Sequence, residues 1–130
     1  MAKMEFELEH GLPFGRGKDA EMQYDVTLRE LTTKDVIDAR TAAEKVIFVP
    51  DPETHTEKAI TVVSEVNMGL ELLRRQVARI GDIQGPLTMK QIHQLHLDDF
   101  QLLNLNAEKL DAAVEVAAKR GRLERPGTTD

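Results

Sequence analysis

Apolar and polar residues alternate with a period of two through residues 3–9 and again through residues 22–29. This period is typical of a strand with one buried face. The apolar positions of the second run are Met22, Tyr24, Val26 and Leu28. The connecting residues 11–20 are rich in turn formers, namely Gly11, Pro13, Gly15 and Gly17. The pattern predicts an antiparallel hairpin over residues 3–30, whose apolar face must pack on other elements because a lone hairpin is marginal in water.

A different pattern, with alternating spacings of three and four, dominates the second half of the chain. Its first stripe comprises Val63, Val66, Leu70, Leu73, Val77 and Ile80, and its second comprises Phe100, Leu103, Ala107, Leu110, Val114 and Ala117. This spacing is that of the a and d positions of a heptad repeat. It predicts two helices, over about residues 61–80 and 98–119, with Gly81 and Gly121 as their ends.

Shorter signals mark further helix starts. Thr-x-x-Asp at residues 32–35 and Thr-x-x-Gln at residues 88–91 have the form of capping boxes, in which the side chains of the first and last residue satisfy free backbone N–H groups. They predict short helices over about residues 34–46 and 88–95. In the same way Asp98, three residues before Gln101, is expected to cap the last helix.

The remaining segments complete the predicted architecture. Residues 47–57 contain two prolines and predict an irregular connection, with a short extended piece at residues 46–49. Residues 122–130 are expected to form a disordered tail. The predicted fold class is α+β and mainly α, with an N-terminal β-hairpin packed on a small bundle of three to four helices, in a single domain over residues 1–121.

Composition narrows the classes of function. A formal net charge of −6 opposes binding to phosphate backbones or anionic lipid, so we expect no nucleic-acid and no membrane partner. The absence of cysteine excludes disulfides and cysteine-based zinc sites. The first eight residues include Glu5 and Glu7 and do not form a signal peptide, and no apolar run approaches the ~20 residues that span a bilayer. A cytosolic protein is expected.

One constellation has the spacing of a metal site. His93, His96 and Asp99 stand at i, i+3 and i+6, which would place two imidazoles and a carboxylate near one face of an unbroken helix. The helix is expected to break near Leu97, and no other histidine is nearby in sequence. The sequence therefore predicts no metal site and no cofactor.

The sequence lacks the residues and motifs that are typical of nucleophilic catalysis. There is no cysteine, and the single serine, Ser64, falls inside a predicted helix. The glycines of residues 11–17 do not lead from a strand into a helix, as a phosphate-binding loop requires. We expect no catalytic residues and no enzymatic activity.

The short helix at residues 88–95 and the following helix have the outline of a helix-turn-helix. The leading end of the second helix would carry Asp98 and Asp99 into a groove lined by phosphates. That charge makes a DNA-binding regulator the weakest of the alternatives.

The two stripes have two interpretations. They could be the shared core of a helix pair, or they could present apolar surface to a partner. The apolar surface is broader than a and d positions require, because Leu72, Leu102 and Leu105 flank the stripes. The candidate partner-binding residues are Leu70, Leu72, Leu73, Val77, Leu102, Leu103, Leu105, Leu110 and Val114. Heptad stripes also permit a homo-oligomer.

Four short segments, taken in order, carry a resemblance to a known family. They are Leu-Arg-Glu-Leu-Thr-Thr-Lys-Asp at residues 28–35, Ala-Arg-Ile-Gly at 78–81, Gly-Pro-Leu-Thr at 85–88, and Leu95 leading to Asp-Asp-Phe at 98–100. With their spacing, they resemble the tail assembly chaperones of Mu-like and P2-like contractile-tail phages. The resemblance extends over residues 20–112.

The resemblance implies a protein of the cytoplasm of an infected or lysogenic host that is absent from the mature virion. Its partner would be the tape measure protein, a long helical protein kept soluble until the tail tube polymerises around it, and the tail tube protein is a second candidate partner. The family brings no catalytic residues. Two alternatives stay open: a small structural tail or baseplate subunit of a virion, and the helix-turn-helix regulator.

Overall fold

The structure is a computed structural model that describes residues 1–124, and the side chains of residues 1–118. Its elements in chain order are β1 (Lys3–Phe14), a 3-10 turn (Gly17–Asp19), β2 (Glu21–Arg29), α1 (Thr33–Ala43), β3 (Glu44–Pro50), β4 (Glu57–Val63), α2 (Glu65–Gln76), β5 (Val77–Ile80), β6 (Ile83–Gln84), α3 (Met89–Gln94) and α4 (Leu97–Glu124). The chain forms two compact units. The sheet unit combines Met1–Glu30 with the chain from Leu73 onward, and the ribbon unit is Leu31–Leu72.

The sheet unit is built on a four-stranded antiparallel sheet with strand order β1-β2-β5-β6. The predicted hairpin is confirmed as β1 and β2, which pair from Lys3 with Arg29 to Phe14 with Glu21. The core of the unit combines residues of the sheet with residues of α3, α4 and the loop before them. Its buried members include Leu8, Leu12, Val26, Leu28, Val77, Ile80, Ile83, Leu87, Ile92, Leu103 and Leu110.

A bulge interrupts the hairpin, and the burial of side chains on β2 departs from the predicted alternation. Between the pairs that join Glu7 to Asp25 and Leu12 to Gln23, β1 has four residues and β2 has only Tyr24. On β2, Gln23 is buried beside the turn between β5 and β6, where its Oε1 atom accepts the Asp82 amide at 3.0 Å. Met22 and Tyr24 are exposed, so their predicted inward positions are wrong.

The predicted helix over residues 61–80 is wrong at both ends. Residues up to Val63 belong to β4, and the Ser64 hydroxyl then caps α2 by accepting a hydrogen bond from the Asn67 amide at 3.3 Å. After α2 ends, Val77 and Ile80 lie in β5 and pair with β2. The β-branched side chains of Val77 and Ile80 pack well on a pleated sheet. Pairing with β2 as a third strand is therefore favoured over the helix that their spacing predicts.

The ribbon unit begins as predicted. The capping box at residues 32–35 is present, with the Thr32 hydroxyl accepting from the Asp35 amide at 3.1 Å. The helix predicted over residues 34–46 ends early, because α1 stops at Ala43 and β3 follows at once. The extended piece predicted at residues 46–49 is confirmed, but it is part of a seven-residue strand. β3 pairs with β4 as a two-stranded antiparallel ribbon.

The last two helices show one confirmed start and one corrected start. The capping box at residues 88–91 opens α3 as predicted. α4 begins at Leu97, and the ring Nδ1 of His96 accepts the Asp98 amide at 3.1 Å, so His96 replaces Asp98 as the cap. α4 also continues through Gly121 to Glu124, beyond its predicted end. The rest of the predicted tail lies outside the described residues.

The α+β class and the packing of the N-terminal hairpin on helices are confirmed. Within the described residues there are four α-helices, which agrees with the predicted three to four. There are six strands, however, rather than one hairpin. The sequence pattern did not reveal β4, β5 and β6. With these strands, the β content is higher than that of the mainly helical fold that was predicted. No helix in residues 1–124 is long and apolar enough to cross a membrane.

Candidate partner-binding surface

The nine candidate partner-binding residues divide by burial. Four are fully buried and belong to the core of the sheet unit, namely Leu73, Val77, Leu103 and Leu110. Four are half-buried, namely Leu70, Leu72, Leu102 and Val114. Leu105 is 48% exposed. The buried four cannot reach a partner while the unit is folded, so the accessible candidates are the flanking leucines and the ends of the stripes.

Two of the flanking leucines line a shallow groove on the sheet unit. Leu102 and Leu105 of α4 form its apolar part, and the groove of about 330 Å³ is completed by Glu9, Asp98 and Gln101. Both leucines can take part in burying an apolar side chain, while the two carboxylates favour a positively charged neighbour. The groove therefore suits an apolar side chain flanked by lysine or arginine.

A second apolar surface lies on the ribbon unit and was not among the predicted site residues. Side chains alternate between the two faces of a strand, and cross-strand partners share a face. Val46 lies opposite Thr61 and Phe48 lies opposite Ala59, so these four side chains share one face of the ribbon. All four are exposed, Val46 at 63% and Phe48 at 66%. We call them the open face of the ribbon.

Acidic side chains flank the open face. Glu44 and Glu57 stand at opposite ends of the ribbon on the same face, and both are exposed. The lysines of the two strands, Lys45 and Lys58, fall on the other face. The open face thus combines an apolar centre with carboxylates at its ends, the same chemistry as the groove on α4.

A sequence signal for this surface exists. Val-Ile-Phe-Val at residues 46–49 and Ala-Ile-Thr-Val-Val at residues 59–63 are two β-branched runs separated by a segment with two prolines. That arrangement is typical of a hairpin with a longer loop. The heptad spacing that begins at Val63 concealed the second run, because it assigned the end of β4 to a helix.

The metal constellation considered from the sequence is not assembled. Asp99 is fully buried, and its carboxylate accepts three backbone N–H groups of the β1 bulge, from Glu9 at 2.8 Å and from His10 and Gly11 at 3.0 Å each. His93 is exposed on α3. The role of Asp99 is thus to hold the first turn of α4 against β1.

This anchor bears on the DNA-binding alternative. A recognition helix inserts its leading turn into the major groove. In this protein the leading turn of α4 is bound to β1 through Asp99, and its second carboxylate, Asp98, would face phosphate. The arrangement argues against a helix-turn-helix regulator.

His96 instead meets a histidine from the other end of the chain. The imidazole rings of His10 and His96 stack with centroids 3.6 Å apart and planes inclined by 12°. Asp98 lies beside both, with its Oδ2 atom 3.1 Å from His10 Nε2 and 3.5 Å from His96 Nδ1. The sequence did not indicate this group, because His10 is 86 positions from His96 and reaches it only through the bulge.

Comparisons with known proteins identify the family of this chain. The family described as "Tail assembly protein gp41" matches residues 8–122. A protein of Escherichia phage Mu named "Probable tail assembly protein gp41" is 51% identical over 118 residues, which cover 89% of this chain and 78% of the relative. No solved structure shows a significant match.

Two further relatives extend the comparison. The "Probable tail assembly protein FS-gp41" of Escherichia phage Mu is 50% identical over 115 residues, and the match covers 88% of this chain but 58% of that relative. The "Mu-like prophage FluMu protein gp41" of Haemophilus influenzae is 41% identical over 122 residues, covering 93% of this chain and 89% of the relative. The class of protein is thus a phage tail assembly protein. The chain belongs to the gp41 tail assembly family of Mu and Mu-like prophages.

Proposed function

We propose that this protein is a tail assembly chaperone that binds the tape measure protein and keeps it soluble until the tail tube polymerises. It acts in the cytoplasm of the infected or lysogenic host, has no catalytic activity and is absent from the mature virion. Its interaction with the tail tube protein, if formed, comes at the release step, when tube subunits compete for the tape measure protein.

The observation that supports the proposal best is the open face of the ribbon. A globular unit normally covers side chains such as Val46 and Phe48, and apolar patches left in water mark binding surfaces. The tail assembly role of the family supplies a partner with matching chemistry, because a tape measure protein exposes long amphipathic helices before assembly. The carboxylates of Glu44 and Glu57 then select helices whose apolar stripe is flanked by lysine or arginine.

The size of the ribbon suits one helical segment. Seven paired residues span roughly 23 Å at about 3.3 Å per residue. A helix of about four turns covers that length, so anchors at i, i+3, i+4 and i+7 of the partner could contact the open face. Four exposed side chains form a small contact area, which fits a complex that must dissociate during assembly.

Co-expression with the tape measure protein of the same phage tests the proposal. Phe48→Asp should sharply reduce the soluble fraction of the tape measure protein relative to the wild-type chain, because a carboxylate on the open face opposes apolar contact. Thr33→Asp is a matched control: it adds the same charge to an exposed site of the same unit, at a helix N-terminus that favours it. An equally insoluble tape measure protein with and without the wild-type chain would refute the proposal.

The groove on α4 is tested in the same assay. Leu105→Asp should reduce the soluble tape measure protein if the groove takes part, whereas Ala112→Asp, on an exposed position of the same helix, should not.

Mass spectrometry of purified particles distinguishes a chaperone from a structural subunit. Stoichiometric amounts of this chain in virions would favour the structural alternative.

A further inference from the structure

We propose that the free edge of β1 is a dimerisation surface, on which two copies of this chain pair their β1 strands antiparallel about a twofold axis. β1 is the first strand in the order β1-β2-β5-β6, so it has a neighbouring strand on one side only. Over residues 3–7 it pairs with β2 without interruption. An edge strand of this kind presents unpaired backbone N–H and C=O groups to another chain.

The hydrogen bonds of β2 show which backbone groups of β1 point outward. The Gly81 amide donates to the Asp25 carbonyl oxygen at 2.7 Å, so the backbone of Asp25 faces β5. Opposite residues of an antiparallel pair exchange either both hydrogen bonds or none. Glu7 lies opposite Asp25 and therefore turns its N–H and C=O groups away from β2. Lys3 and Glu5 do the same, because the two kinds of pair alternate along the strand. In the described part of the chain, no backbone group outside the strand pairing reaches these three residues.

The free part of the edge ends where α4 covers it. The Asp99 carboxylate of α4 accepts the amide of Glu9 at 2.8 Å, together with the next two amides of the bulge at 3.0 Å each. The Glu9 amide points to the same side as that of Glu7, so this side of β1 is occupied from Glu9 onward. A second strand can therefore pair with β1 up to Glu7.

The charges on the solvent face of the hairpin favour a second copy as the partner strand. Lys3 lies opposite Arg29 and Glu7 lies opposite Asp25, so each end of the paired segment brings two like charges together. Like charges directly opposite each other are destabilising. An antiparallel second copy sets the positive end of one hairpin beside the negative end of the other, which offsets both repulsions. A uniformly basic partner strand would offset only the repulsion at the negative end.

Charge also determines the register of the two strands. With Lys3 opposite Glu5 of the second copy, both charged pairs across the axis are of opposite sign, and Met4 lies opposite its counterpart. The neighbouring registers that keep the same faces together set Lys3 opposite Lys3 or Glu5 opposite Glu5. The favoured register allows about four backbone hydrogen bonds between the Lys3 and Glu5 residues of the two copies. On the inner face, Met4 and Phe6 are half-buried in the single chain, and both gain apolar contact from the second copy.

Sedimentation equilibrium of the full chain tests the dimer. The wild-type chain should reach twice the mass of one chain at high micromolar concentration, since a short edge contact binds weakly. Lys3→Glu and Glu5→Lys each convert both opposite-charge pairs into like-charge pairs, and each should weaken self-association by ~10-fold or more. An equimolar mixture of the two variants should dimerise again, because each charged pair then joins a carboxylate to an ammonium group. Recovery in the mixture also shows that both variants are folded.

Two further variants serve as controls. Lys18→Glu makes the same change at an exposed site in the 3-10 turn of the same unit, and it should leave self-association unchanged. Phe48→Asp should also leave it unchanged, because the open face shares no residue with the edge of β1. A wild-type chain that stays monomeric would overturn the proposal, and so would a variant mixture that stays monomeric. A dimer that Phe48→Asp disrupts as strongly as Lys3→Glu would also overturn it.

Discussion

The two compact units of this protein differ in how many apolar residues they bury. Fourteen of the sixteen buried hydrophobic residues in the described part of the chain belong to the sheet unit, and the ribbon unit contributes only Ala39 and Ala43. Both units expose large hydrophobic residues in the described part of the chain, seven in the sheet unit and six within Leu31–Leu72, namely Val36, Ile37, Val46, Ile47, Phe48 and Val66. The sheet unit therefore has a hydrophobic core of its own, whereas the ribbon unit buries none of its large hydrophobic residues.

The difference separates a unit stabilised by its own core from a unit whose large apolar side chains remain in water. Burial of aliphatic side chains in the sheet unit contributes stability at roughly 25 cal/mol per Å² of apolar area. The ribbon unit gains little of this, and contiguous exposed apolar patches are typical of binding surfaces. The exposed carboxylates of Glu44 and Glu57 lie at the ends of the open face, and under the proposed function they favour basic partners.

The largest expected effect is on the core of the sheet unit. Leu103→Asp places a carboxylate where no side-chain surface reaches water, and should lower the free energy of unfolding by about 4 kcal/mol or more, enough to prevent folding. Leu105→Asp, two residues along the same helix and half exposed, should change it by less than about 1 kcal/mol. Thermal melts of both variants check this. Equal losses would mean that α4 is not packed as described.

The anchor between β1 and α4 comes next. Asp99→Ala leaves three amide N–H groups of the bulge without their acceptor and should lower the free energy of unfolding by roughly 3 kcal/mol. Glu108→Ala, an exposed acidic position on the same helix, should have almost no effect. Urea unfolding measures both. A stability loss of the same size in the two variants would contradict the role assigned to Asp99.

The two capping threonines compare the units directly. Thr88→Ala and Thr32→Ala each remove a hydroxyl that caps a helix, at a cost of about 1 kcal/mol. We expect Thr88→Ala to lower the Tm of the sheet unit, and Thr32→Ala to speed amide exchange chiefly in α1. Serine at either position keeps the hydroxyl and should restore wild-type behaviour. Faster amide exchange throughout the four-stranded sheet in Thr32→Ala would contradict the expectation that loss of this cap affects chiefly α1.

The smallest effect on stability is expected at the open face. Phe48→Asp should change the free energy of unfolding by less than about 0.5 kcal/mol, because the ring is already largely in water. Thermal melts of Phe48→Asp and of the control Thr33→Asp should therefore coincide. Unfolding by Phe48→Asp would mean that the ring is structural, and the binding surface would have to be sought elsewhere.

The sequence revealed those features that depend on neighbouring residues. The hairpin over residues 3–30 followed from alternation around turn glycines, and the capping boxes at Thr32 and Thr88 followed from one hydroxyl and one acceptor three positions apart. The spacing of Leu103, Ala107 and Leu110 also identified residues that the structure buries on α4. In each case local geometry alone determines the structure.

Features set by tertiary pairing were missed. Val77 and Ile80 continued the heptad spacing, yet they form β5 because β2 offers them a sheet edge. The same spacing concealed β4, and with it the open face of the ribbon. The cluster of His10 with His96 depends on a bulge whose unpaired amides find Asp99, and no pattern within either segment indicates that contact.

The most direct test of the partner surface is hydrogen exchange of the full chain, alone and saturated with the tape measure protein. Binding on the open face should slow exchange of the amides in β3 and β4, over residues 44–63, and leave β1 and β2 unchanged. Phe48→Asp should abolish this protection. Protection confined to the sheet unit, or none in β3 and β4 when the complex is fully formed, would contradict the assignment of the ribbon as the binding surface.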